Sequence, residues 1–181
     1  MKGIKIMSIK KKFIVFLVII LAIVITYNVL NKIMNNDFYQ LKKIININIP
    51  KDSTILKWND GQAGFHGDGE AYAEIKLTKE GMEKFIIDAE ETNKWNSLPL
   101  SKDLKIIVYG GNYDGISYDI GKMSKNIPDD IESGIYYFRD RYAEHYQEHT
   151  DTDINSRYSY NVTISILDFD TNKLYIYELD T

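Results

Sequence analysis

Tyr158-Ser-Tyr-Asn-Val-Thr-Ile-Ser-Ile-Leu-Asp-Phe-Asp-Thr-Asn-Lys-Leu-Tyr-Ile-Tyr-Glu-Leu179 fixes the fold class. Tyr158, Tyr160, Val162, Ile164 and Ile166 alternate with Ser159, Asn161, Thr163 and Ser165. A period of two in β-branched and aromatic residues describes a strand, because successive side chains point to opposite faces. Asp170-Thr-Asn172 supplies turn chemistry, and Lys173 to Leu179 runs back. The reading is a long β-hairpin, hence an antiparallel sheet.

Working upstream, Ile135-Tyr-Tyr-Phe-Arg139 and Leu104-Lys-Ile-Ile-Val-Tyr109 read as further strands, separated by turns over 110–130. The polar tract 140–156 has room for a helical turn or two. Thr78 suits a helix N-cap with Glu80 in the first turn, and Met82, Phe85, Ile86 and Ala89 form one apolar stripe. That helix ends near Lys94, ahead of Pro99. Glu70 to Leu77 and Thr54 to Trp58 alternate as strands. Ile45, Ile47 and Ile49 alternate with Asn46 and Asn48, which predicts one more strand over 43–49, closed by Pro50. The fold class expected is α+β: one mainly antiparallel sheet of six or seven strands with a helix packed on one face.

The run from Phe13 to Leu30 contains no charge, Pro or Gly. A helix of its roughly 18 residues spans ~27 Å, close to the ~30 Å hydrocarbon core of a bilayer. Lys2, Lys5, Lys10, Lys11 and Lys12 precede it, while Lys32 is the one cation shortly after it. This asymmetry predicts a cytoplasmic N-terminus and a domain outside the cell membrane. A charged segment followed by an apolar core also describes a cleaved signal peptide, but Thr26 to Met34 offers no small-residue cleavage pair. The organisation expected is a cytoplasmic basic segment 1–12, a transmembrane helix 13–30, a stalk 31–40 and an extracytoplasmic domain 41–181.

The net charge of −4 conceals an acidic remainder. Setting aside the five leading lysines leaves 17 basic against 26 acidic residues, a charge of −9. That composition argues against nucleic acid as a partner. With no cysteine, the chain has no disulfide framework, no catalytic thiol and no site for lipoprotein acylation.

Asn59 to Gly69 holds four glycines, so it is read as the loop joining two strands. Within it, Gly64, Phe65, His66, Gly67, Asp68 and Gly69 form the candidate ligand-binding loop. Glycine lets a backbone approach a ligand, His66 titrates near neutrality, and Asp68 is able to orient it or bind a metal. The competing explanation is a hairpin loop whose glycines only supply positive φ. No Gly-Lys-Ser/Thr follows, so this is not a phosphate-binding P-loop. His145-Tyr-Gln-Glu-His149 has the H-x-x-E-H spacing of inverted zinc peptidases, making His145, Glu148 and His149 candidate metal residues. Too little chain follows to bring the remaining ligand of such enzymes, and a polar turn explains it better. Asp151-Thr-Asp-Ile-Asn155 and Asp168-Phe-Asp-Thr-Asn172 begin like calcium loops, but Ser156 and Lys173 stand where glycine is required. Tyr158, Tyr160, Tyr175 and Tyr177 suit a sheet surface as well as a peptide or glycan face.

The Gly-Phe-His-Gly-Asp-Gly loop, taken with Ile166 to Thr181, resembles small, functionally uncharacterised membrane-anchored proteins of Bacillus- and Clostridium-like bacteria. The resemblance implies an anchored ectodomain and no particular activity. The expectation is therefore a single-pass anchored protein whose outer domain is a non-enzymatic binding module without a cofactor. Its partners would be the bilayer, through Phe13 to Leu30, and a protein, peptide or glycan outside the cell. Two other classes compete: a metal-dependent hydrolase using His66, Asp68 and His145 or His149, and an immunity protein against a secreted toxin or peptide.

Overall fold

The structure, a computed structural model, describes residues 9–34, 36–61, 68–118, 121–145, 154–157 and 159–181. The chain divides at Gln40/Leu41 into two units. The first is dominated by helix α1 (Ile9–Met34), which continues into the start of the expected stalk. Its stretch Phe13–Lys32, 20 residues with a mean hydropathy of 2.9, is long and apolar enough to cross a membrane, and none of it is buried. β-branched residues are acceptable in such a helix, because in lipid the backbone must satisfy its own hydrogen bonds. Helix α2 (Asp37–Ile45) follows.

The second unit is built on a six-stranded antiparallel sheet in the order β1-β2-β8-β7-β6-β3. Its strands are β1 (Thr54–Asp60), β2 (Gly69–Lys76), β3 (Trp95–Ser97), β6 (Gly134–Asp140), β7 (Asn161–Asp168) and β8 (Lys173–Asp180). Helices α3 (Lys79–Thr92), α4 (Lys102–Tyr109) and α5 (Arg141–His145) join them, with a small hairpin β4 (Gly111–Tyr113) and β5 (Ile116–Tyr118). The α+β class and antiparallel sheet are as the alternation implied. The β7–β8 hairpin pairs Asp168 with Lys173 and Asn161 with Asp180.

Two cores flank the sheet. On one face, Ala73, Ile176, Ser165 and Tyr137 stand in register across four strands, extended by Trp95 on β3. Helix α3 covers this row, with Phe85 edge-on to Trp95 at 5.2 Å and Trp95 5.7 Å from Tyr137. Thr78 caps α3 by accepting the Gly81 N–H at 2.9 Å, as its sequence position predicts. On the opposite face, Tyr72, Tyr175, Tyr177, Val162, Ile164 and Ile166 pack with Leu104, Ile107 and Val108 of α4. The central strands are therefore buried on both sides, and the polar partners Thr163 and Ser165 are as inaccessible as their apolar neighbours.

Two local readings are corrected. Leu104 to Tyr109 is helical, not a strand: Ser101 accepts the Leu104 N–H at 3.2 Å and starts a helix that Gly110 ends. The segment 43–49 is not a strand either. Helix α2 runs to Ile45 and Asn46 turns left-handed with φ 56°, after which Ile47 and Ile49 are buried without joining the sheet. Trp95-Asn-Ser97, to which the sequence pattern assigns no element, forms edge strand β3 against Ile135–Tyr137.

Candidate functional site

The glycine-rich stretch connects β1 to β2, as expected for a hairpin loop. The last ladder pair is Asp60 with Ala71, and the Gly61 N–H extends it by donating to the Glu70 carbonyl at 2.8 Å. Gly64, Phe65, His66 and Gly67 lie outside the described residues. Asp68 is exposed at the foot of the loop, and Gly69 opens β2 opposite Asp180. Register places Gly69, Asp180 and Asn161 side by side on three strands, with Asp140 ending the next.

Glu70, next to the loop, holds a second segment against it. One carboxylate oxygen accepts the Lys122 N–H at 3.0 Å, and the other accepts the Met123 N–H at 2.8 Å and the Tyr177 hydroxyl at 3.2 Å. The chain comes so close at Gly121 that a Cβ there would stand 2.0 Å from the Tyr177 oxygen. Burial first, then the Glu70 charge, pushes the Tyr177 phenol far above its ordinary value.

Arg141, the first residue of α5, reaches back across two strands. Its guanidinium donates to Asn161 and Thr163, to the Glu178 carboxylate at 2.8 Å and to the Val162 carbonyl at 3.3 Å. Thr163 in turn donates to Glu178 at 3.0 Å. Asp180 is pushed above the usual carboxylate range by burial, with the Asp68 charge adding to the rise and Arg141 opposing it. Arg157 pairs with Asp140 at 2.5 Å and lies 5.2 Å from the Tyr142 ring. None of Glu70, Arg141, Glu178 and Asp180 stood out in the sequence reading. A signal was present in Leu174-Tyr-Ile-Tyr-Glu-Leu179, where a lone carboxylate interrupts a strand buried on both faces.

Of the candidate metal residues, His145 ends α5 at the surface, while Glu148, His149 and His66 lie outside the described residues. Among the described residues, no group of three His, Asp or Glu is placed to hold a metal ion. Asp168-Phe-Asp-Thr-Asn172 is a hairpin turn: Asp168 accepts the Asp170 N–H at 2.9 Å and the Thr171 hydroxyl at 2.5 Å, and Asn172 is left-handed with φ 49°. Tyr160, Tyr175 and Tyr177 are buried, so they pack the sheet rather than present a face.

An open cleft of about 640 Å³ lies at the β6 edge, between the end of α3 and α5. Asn93, Lys94 and Asn96 form one wall, Ala143 and Glu144 the other, and Arg139 lies between them. Arg139 grips Glu144 through two nitrogens at 2.7–3.1 Å. That bidentate bond, against a smaller cost of burial, holds Glu144 below the usual carboxylate range. Comparison with protein-family models, with curated proteins and with solved structures gave no match for this chain.

Proposed function

We propose that this chain is a single-pass membrane protein, with its N-terminus in the cytoplasm and an extracytoplasmic domain that binds a protein, peptide or glycan without catalysing a reaction on it. The observation that carries the reading is the surface of α1. Phe13, Ile14, Phe16, Val18, Leu21, Ile23 and Tyr27 are each more than half exposed along one unbroken helix. Apolar area costs ~25 cal/mol per Å² when left in water, so a helix of this kind needs lipid around it. Five lysines before the helix and one shortly after favour retention of the basic end in the cytoplasm. The non-enzymatic part of the reading is supported by charge chemistry at the sheet end, where carboxylates and guanidinium groups are engaged with one another and with backbone.

Alkaline carbonate washing of membranes tests the anchor, and protease treatment of intact cells tests the side. The expected result is full-length protein retained in the membrane pellet, with its domain cleaved from outside. Release by carbonate, or complete protection from protease in intact cells, would contradict the placement.

A further inference from the structure

We propose that the lysines opening α1 bind the phosphates of anionic phospholipid headgroups, so that the helix gathers such lipids around its basic end; the proposal rests on the membrane-anchor reading above. Lys10 and Lys11 stand exposed in the first turn of α1. Among the described residues, neither has an ion-pair partner within the chain. The sequence adds Lys12 directly before Phe13, and the first turn of the helix holds no acidic residue. The first carboxylate side chain in the whole sequence is Asp37, so these lysines have no countercharge among their sequence neighbours.

Depth decides what such charges meet. With Phe13 at the hydrocarbon boundary, a rise of ~1.5 Å per residue keeps positions 10–12 within ~5 Å of it. The headgroup layer is about 5–8 Å deep on each side of a bilayer, so all three positions fall inside it. Consecutive helical positions turn by ~100°, which spreads the three around the axis instead of along one stripe. Lipids on several sides of the helix are then within reach of an ammonium group on a flexible stem. The unpaired N–H groups of a helix start add partial positive charge at the same level.

The sign of the charge selects the occupant. A zwitterionic headgroup carries its own cation beside the phosphate, whereas phosphatidylglycerol carries none and leaves the phosphate to the lysines. A lysine at an anionic surface gains enough to enrich such lipid about fivefold. Apart from the five leading lysines the chain carries −9, so the attraction belongs to the basic end and not to the remainder. A nucleic acid or an acidic protein would have to reach these lysines across the headgroups that already surround them.

The test places the full chain in phosphatidylcholine vesicles with a trace of acyl-chain photoactivatable phosphatidylglycerol or phosphatidylcholine, and compares the two crosslinking yields. Phosphatidylglycerol is expected to crosslink about threefold or more above phosphatidylcholine at low salt. The preference should vanish in the triple variant Lys10→Gln, Lys11→Gln, Lys12→Gln, survive in the corresponding arginine variant, and fade at about 1 M NaCl. Equal yields from the two lipids on the unaltered protein would overturn the proposal, as would a preference unchanged in the glutamine variant. Loss of the preference when inorganic phosphate is added at constant ionic strength would assign the lysines to a free anion and overturn it too. The phosphatidylcholine yield reads insertion by itself: crosslinking without preference removes the lipid proposal alone, while no crosslinking of either lipid removes the anchor reading with it.

Discussion

Arg141 shows how one side chain can join elements that the backbone leaves apart. Glu178 is nearly inaccessible on β8, and its negative charge is offset by Arg141 and by the Thr163 hydroxyl. Removing one partner of such a pair strands the other, which costs ~3–5 kcal/mol when fully buried. Because Arg141 keeps some solvent contact, Arg141→Met is expected to destabilise the domain by less than that, about 2–3 kcal/mol. Adding Glu178→Leu to that variant should restore most of the loss. Urea unfolding of the four proteins in detergent checks this, and additive losses would show that the two residues do not act as a pair. The buried phenols make a second test. Burial, reinforced by Asp129 and Asp130, pushes Tyr109 up to about 12, and burial raises Tyr72 and Tyr177 further. Each favours the protonated form in the folded state. Their contribution is complete below the ordinary value of 10.0 and is lost as pH climbs through the native value. Stability is thus expected to fall above pH ~10, with ionisation of these tyrosines, followed by ultraviolet absorbance, coinciding with unfolding. Ionisation of all 14 tyrosines near pH 10 while the fold persists would contradict it.

Among the elements, α4 carries the clearest prediction. Ser101 provides its N-cap, so Ser101→Ala should cost about 1 kcal/mol, read as a lower urea midpoint with an unchanged slope. No change would mean that the cap is not formed. This helix also shows where the sequence misleads. Leu104-Lys-Ile-Ile-Val-Tyr109 is β-branched and apolar, and two turns are too short for a 3.6-residue period to declare itself against a strand. Only the capping serine and the glycine after it marked the helix. At 45–49 the period-two pattern correctly predicts burial, since Ile45, Ile47 and Ile49 are inside and Asn46 and Asn48 outside, yet no strand forms. Alternation reports which side chains are covered. It does not report whether a neighbouring strand exists to complete the ladder. The β7–β8 hairpin was legible because its alternation spans two long arms joined by turn residues. Helix α3 was legible for a parallel reason, a stripe with its cap at Thr78.

At the scale of the molecule, the sequence announces an apolar helix and an α+β domain, while the candidate site is only partly legible. The glycine-rich loop sits in the hairpin the pattern implied. Glu70, Arg141 and Glu178 become meaningful only once strands distant in sequence are brought into register. The cleft beside β6 is likewise a product of topology: β3 stops after three residues, and no local pattern predicts where a partner strand gives out.

The proposed crossing of a membrane by α1, basic end inside, has a direct test because the chain contains no cysteine. Single variants Ser8→Cys and Thr181→Cys can be treated in intact cells with a membrane-impermeant maleimide. Thr181→Cys is expected to be labelled at once, and Ser8→Cys only after permeabilisation. Labelling of Ser8→Cys in intact cells with Thr181→Cys protected would contradict it, as would a protein in the culture fluid whose N-terminus lies beyond Asn31.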